Sequence, residues 1–263
     1  MSNPKEPTDV GRNRTGIGTS PTDSKAAVEG ARAGTPVPQF EPIELTATRV
    51  ELSRQAAPVG SMPPPPTLKG MAKGAMDAVR GKHPMVFIDL IGERLAFERT
   101  GTRLYDALLA KFEASHEHPG GPTRDDLERI RDQELQHFAM LKEALESLGA
   151  DPTVVTPSAD IAGVMSEGLV KVLAEPRTTL TEALKAILVA ELADNDSWLI
   201  LADVADRLGH SELAGRFRTA LIDEEDHLAR VRSWLTAAVD GQAGLEPAPP
   251  TRVGNHPGEA RRP

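Results

Sequence analysis

At 263 residues, with 39% hydrophobic and 26% charged residues and a net charge of −9, the chain has room for one large or two small domains. That acidity argues against generic binding to nucleic-acid phosphates, and the lack of cysteine excludes disulfides, iron–sulfur clusters, rubredoxin-type iron and thiolate zinc. No apolar run reaches membrane-spanning length and the N-terminus lacks a signal-peptide core, so no membrane association and a cytoplasmic location are expected.

Residues 1–40 are rich in Gly, Pro, Ser, Thr and charge, a composition expected to stay disordered. Within them, residues 13–21 (Asn13-Arg14-Thr15-Gly16-Ile17-Gly18-Thr19-Ser20-Pro21) could be a docking peptide for a protein partner, with plain flexibility as the simpler reading. Residues 41–57 carry some apolar periodicity and allow a short strand or helix. Met62-Pro63-Pro64-Pro65-Pro66 is a stiff polyproline spacer, and a short amphipathic helix is possible over 68–81. The expected organisation is a Pro-rich extension over 1–82, a helical domain over 84–238 and a disordered tail over 239–263.

Four long helices follow from the pattern of the middle of the chain. The first runs from Met85 to about Ser115, with Ile91, Leu95, Glu98, Thr102, Tyr105, Leu109 and Phe112 on one face. Glu93, with Arg94 and Arg103 nearby, is expected to meet solvent. A turn over 116–122 follows, whose His116 and His118 read as solvated rather than metal-binding. Thr123 with Asp126 forms a capping box for the second helix, which reaches Leu148 and stops at Gly149. Its inner face carries Leu127, Ile130, Glu134, His137, Leu141 and Leu145. Residues 150–178 are too long for a hairpin, so they form a crossover with a short helix capped by Ser158. Thr179 with Glu182 caps the third helix, whose stripe is Leu184, Ile187, Leu188, Glu191, Asn195, Trp198 and Ala202. Ser211 caps the fourth, where Leu213, Phe217, Leu221, Glu224, His227, Val231 and Trp234 share a face.

Each half of this domain repeats one theme, a lone glutamate followed on the next helix by Glu-x-x-His: Glu98 with Glu134 and His137, then Glu191 with Glu224 and His227. The i, i+3 spacing places each Glu/His pair on one helical face. A carboxylate in an apolar stripe is costly unless a cation or hydrogen bonds compensate it, and no lysine or arginine is expected on these inner faces. Four glutamates balance two divalent ions, and carboxylate oxygen with imidazole nitrogen suits hard-to-borderline metals. Asp223 is placed to orient His137, and Gln133 to orient His227. Tyr105, the only tyrosine, could hydrogen-bond a ligand carboxylate or donate an electron, with core packing as the plainer alternative.

The pattern Glu98, Tyr105, Glu134-x-x-His137, Glu191, Glu224-x-x-His227 resembles the ferritin-like di-iron superfamily, in particular its bacterioferritin- and rubrerythrin-type domains, over about residues 84–238. The resemblance implies an all-α, ferritin-like four-helix bundle with a long crossover between its second and third helices. It also implies two iron ions held by Glu98, Glu134, His137, Glu191, Glu224 and His227, and an oxidoreductase that oxidises Fe(II) or reduces O2 or peroxide as a homo-oligomer. Two manganese ions in a catalase-like enzyme, or an iron-storage or shell-cargo protein docked through its tail, are the alternatives. The chain departs from the family in having no rubredoxin module, so an external electron donor is implied. It offers no evident methionine haem ligand, and its crossover is shorter than that of manganese catalases.

Overall fold

In a computed structural model, residues 20–34, 42–63, 84–115 and 119–245 are described, and among them all regular structure is helical. The chain divides into two units, 1–59 and 60–263. The first contains α1 (Pro21–Ala33) and α2 (Pro42–Gln55). The helix α1 corrects the expectation of disorder across 1–40. Proline at its first position costs no hydrogen bond, Asp23 lies in its positive first turn and Arg32 in its last, so local terms favour it with no side chain buried. Over 41–57 the outcome is helix. Most of the proposed docking stretch, the segment 68–81, His116, His118 and the chain after 245 lie outside the described residues.

The second unit holds α3 (Pro84–Glu113), α4 (Arg124–Ser147), α5 (Pro157–Ala174), α6 (Leu180–Arg207) and α7 (Ser211–Gln242). The helix α3 packs on α4, α5 and α6, and α7 packs on α6 and α4. Two apolar clusters fill the space between the long helices. One contains Tyr105, Leu108, Ile130, Leu184, Ile187, Val231 and Trp234; the other contains Phe87, Ile91, Leu141, Leu145, Trp198, Leu201 and Phe217. Following α3 or α7 forward leads from the second cluster to the first, and following α4 or α6 leads the other way. Thus α3 and α7 run parallel to each other and antiparallel to α4 and α6. On all four helices the stretch between the clusters carries the glutamates.

Because α4 and α6 point the same way, the chain must travel back between them, and α5 makes that journey along α3. Asp89 accepts from the backbone N–H of Ser158 (3.0 Å) and from its hydroxyl (2.7 Å), fixing the start of α5 near the start of α3. Lys111 donates to the carbonyl of Thr178 (3.0 Å) and to that of Glu175, fixing the other end. Thr156 is the N-cap and Pro157 the first helical residue, rather than Ser158 capping as expected; Ser158 spends its donors on Asp89 instead. Both predicted capping boxes, Thr123/Asp126 and Thr179/Glu182, are formed. Ser211 does not cap α7: His210 stands at the N-cap, its side chain makes no capping hydrogen bond, and it follows Gly209 at φ +87° in the connection from α6.

Candidate metal centre

Between the two apolar clusters, Glu98, Glu134, His137, Glu191, Glu224 and His227 converge from four helices, and all six are buried. Glu225, one position along, is exposed, so α7 presents Glu224 inward as the periodicity of its apolar residues requires. His137 Nδ1 lies 2.8 Å from Glu224 Oε1 and 3.6 Å from Glu98 Oε2. His227 Nδ1 lies 3.2 Å from Glu224 Oε2, 3.5 Å from Glu134 Oε1 and 3.9 Å from Glu191 Oε2. Glu224 therefore stands between the two imidazoles, one oxygen toward each.

The outward nitrogens are held as the sequence positions allow. His227 Nε2 meets Gln133 Oε1 at 3.1 Å, and His137 Nε2 meets Asp223 Oδ2 at 3.4 Å. An Nε2–H donated to these acceptors leaves the Nδ1 lone pair facing the carboxylates. The lone glutamates are held too. The Tyr105 hydroxyl donates to Glu191 Oε1, and the Trp198 indole N–H donates to Glu98 Oε1 at 2.9 Å. Trp198 also stands edge-on to the His137 ring, with centroids 5.6 Å apart. Its hydrogen bond was not anticipated from its place in an apolar stripe. The available signal was its position two turns after Glu191, which repeats the placement of Tyr105 two turns after Glu98.

Two further residues revise the expected inner faces. Arg94 is buried and pairs with the buried Asp194, so the expectation that these faces lack a basic partner is corrected. The guanidinium also lies 4.4 Å from the Phe97 ring centroid. On α6 Asp194 is buried and Asn195 half-buried, because Asp194 lies three residues after Glu191 and four before Trp198 on the same helical face. Glu93, expected in solvent, is half-buried, and desolvation pushes its carboxyl up despite the neighbouring Arg94. Among the described residues, no lysine or arginine pairs with the six central residues, and the Arg94 guanidinium is already matched to Asp194.

The electrostatics are those of a cluster short of positive charge. Burial pushes the Glu134 carboxyl well above the usual range, and Glu224 and Glu98 push it further. Burial and Glu224 do the same to Glu191, against the Tyr105 hydrogen bond. Desolvation opposes ionisation of His137, yet the Glu224 and Glu98 carboxylates outweigh it and raise the imidazole to about 11. Desolvation likewise opposes ionisation of Glu224, and His137 and His227 outweigh it, holding the carboxyl at about 2. Burial, followed by Glu191, raises the Tyr105 phenol well above its ordinary value, so it stays a neutral donor.

Glu98 Oε2, Glu134 Oε2, Glu191 Oε2, Glu224 Oε1 and His137 Nδ1 are buried without an aligned hydrogen-bond partner. Buried polar atoms are ordinarily satisfied, and here several orphans face one another in one place. Their donor chemistry fits cations. Among the described residues, the ligand atoms fall into overlapping sets within 4.8 Å: Glu134, Glu191, Glu224 and His227; Glu98, His137 and Glu224; and Glu98, Glu134, Asp194 and Glu224. Gly101 makes the arrangement possible, since a Cβ there would collide with the Glu134 carboxylate. No helix among the described residues is long and apolar enough to cross a membrane. Comparison with family models, curated proteins and solved structures gives no match for the chain.

Proposed function

We propose that the bundle is a ferritin-like dinuclear-metal protein, with iron as its metal, that oxidises Fe(II) or reduces O2 or peroxide. The observation that carries this reading is the convergence of unpartnered inward atoms from four glutamates and an imidazole between two apolar clusters. Glu98 and Glu191 would each hold one ion, His137 and His227 would supply one nitrogen apiece, and Glu134 and Glu224 would lie between them. With Arg94 matched to Asp194, the four glutamate charges remain for two divalent ions. When bound, two Fe(II) ions supply one electron each, which suffices to take one H2O2 and two protons to two waters.

The protein's own part is to hold, orient and shelter. Tyr105 and Trp198 each fix one oxygen of a glutamate and leave the other free. Gln133 and Asp223 fix the imidazoles so that Nδ1 faces inward. The apolar clusters on either side keep bulk water away and strengthen every charge interaction between them. Protons held among His137, Glu134 and Glu191 are the ones that arriving cations displace. The chain has no cysteine, so sustained reducing equivalents would come from Fe(II) itself or from an external donor.

Metal analysis of protein produced with iron and manganese supplied together tests the reading. Two iron ions per chain, with Fe(II) consumed on exposure to O2 or peroxide, are the expected result. Two manganese ions with O2 evolved from peroxide would replace it with a catalase-like reading. No bound metal would overturn it.

A further inference from the structure

The crossover helix α5 turns Ala159, Ala162, Ser166 and Leu173 inward, so the helical repeat turns residues 160, 161, 164, 167, 168 and 171 outward. On and beside that outward face Ile161, Val164, Met165 and Val170 are exposed, Val164 by 69%. Gly163 and Gly168 are exposed in the same stretch, and a Cβ at either would meet open space. Glycine inside a helix is destabilising relative to alanine, and no contact within the chain requires it at these two positions. Four large apolar side chains beside two gaps on one helix make a surface shaped for another helix. The outward side of α6 fits a partner less well, because Asp196 interrupts Leu192 and Leu199 there.

We infer that α5 is the interface of a two-fold dimer, packing antiparallel against α5 of a second copy. Asp160, Val164, Glu167 and Lys171 follow a four-three-four spacing, the seam of a helix pair. An antiparallel partner centred between Met165 and Ser166 sets Asp160 against Lys171 of the second copy and Val164 against Glu167 of the second copy. The two-fold axis repeats each contact. Lys171 pairs with Glu167 of its own helix at 2.6 Å, and Asp160 forms no ion pair among the described residues. The antiparallel arrangement gives Asp160 its cation. A parallel one would oppose Asp160 to Asp160 and Lys171 to Lys171. Beside the seam, the antiparallel geometry brings Ile161 next to Gly168 of the second copy and Val170 next to Gly163 of the second copy, a bulky side chain against a gap each time. The helix α5 touches α3 and α6 but neither α4 nor α7. The dimer therefore leaves open the edge of the centre at α4 and α7, where the Asp223 side chain beside His137 is 38% exposed. One face of a single helix is small for an interface, so association should be reversible, with a dissociation constant on the order of 1–100 µM.

Sedimentation equilibrium of the full chain, at concentrations spanning that range, tests the pairing. The wild type is expected to show a monomer–dimer equilibrium. Val164→Glu, which opposes Glu167 of the second copy, should abolish it, and Lys171→Glu should weaken it about tenfold. Both variants should keep their helix content by circular dichroism, because the replaced side chains are exposed. The chain has no cysteine, so Val164→Cys supplies the only thiol, and a short bismaleimide should link two copies through it. Leu199→Cys on α6 and Ile222→Cys on α7, at positions that are also exposed, should link poorly. A monomer at every concentration, a dimer indifferent to Val164→Glu, or equally efficient linking through Leu199→Cys or Ile222→Cys would overturn the α5 interface. Metal content should be the same in Val164→Glu and in the wild type, so failure of the dimer and failure of the dinuclear reading are told apart.

Discussion

Glu134 owes its position to the missing side chain of Gly101. On α3 a β-carbon at that position would fall on the Glu134 carboxylate, so Gly101→Ala should push the glutamate aside or spread α3 from α4. Overpacking of this kind costs about 1–3 kcal/mol, and the variant should also bind less than the wild-type complement of metal, read by elemental analysis. Glu134→Ala and His227→Ala should each lower metal content sharply, since each removes a buried inward donor. Glu225→Ala should not, because Glu225 is exposed on the other face of α7. Equal metal loss in the Glu225 variant would show that α7 presents a different register in solution.

The helix α5 has no hairpin partner, and its hold on α3 comes down to a few polar contacts at its ends and apolar packing between them. Asp89 satisfies the Ser158 N–H, one of the orphan donors in the first turn, from outside the helix. Asp89→Ala should therefore destabilise the unit by about 1 kcal/mol, the usual worth of a helix cap, visible as a lower midpoint in urea with an unchanged slope. Thr123→Ala removes the capping box of α4 and should cost a similar amount. Neither change touches a ligand, so metal content in the folded fraction should stay at its wild-type level. Loss of metal in the Asp89 variant would mean that α5 also sets the spacing of α3 against α6.

Across the whole unit, the clustered carboxyls make stability depend on pH. Glu134 and Glu191 have folded-state values above their ordinary 4.5. Their contribution is therefore fully present below that pH and is lost as pH rises through the folded values. His137, raised from 6.5 to about 11, acts in the same direction, with its contribution complete below 6.5 and declining above it. Glu224, lowered to about 2, contributes above 4.5 and loses that contribution as pH falls toward 2. The metal-free protein should thus melt at progressively lower temperature as pH rises from about 5 to 9. Divalent ions replace the displaced protons, so metal affinity should rise over the same range and the melting curves with and without chelator should diverge. Melting temperatures that converge as pH rises would refute this account.

The helical course of the central chain was legible because it depends on local terms: the 3.6-residue recurrence of apolar side chains, the Thr123 and Thr179 capping boxes, and glycine at the ends of α4 and α6. The inward set Glu98, Glu134, His137, Glu191, Glu224 and His227 was legible for the same reason, since each sits in register with the apolar residues of its own helix. Other features depend on groups distant in the chain that only packing brings together. Arg94 and Asp194 are a hundred positions apart, and each looks like an ordinary surface charge until α3 meets α6. The grip of Asp89 on Ser158 and the room that Gly101 leaves for Glu134 are of the same kind. The short helix α1 errs in the other direction, because composition alone said disorder while its local end effects favour a helix with no buried side chain. Sequence by itself determined which residues each helix turns inward, because helical periodicity is local. The tertiary structure decided which of those side chains come within reach of one another and which charges are already matched, because those depend on distances across the helices.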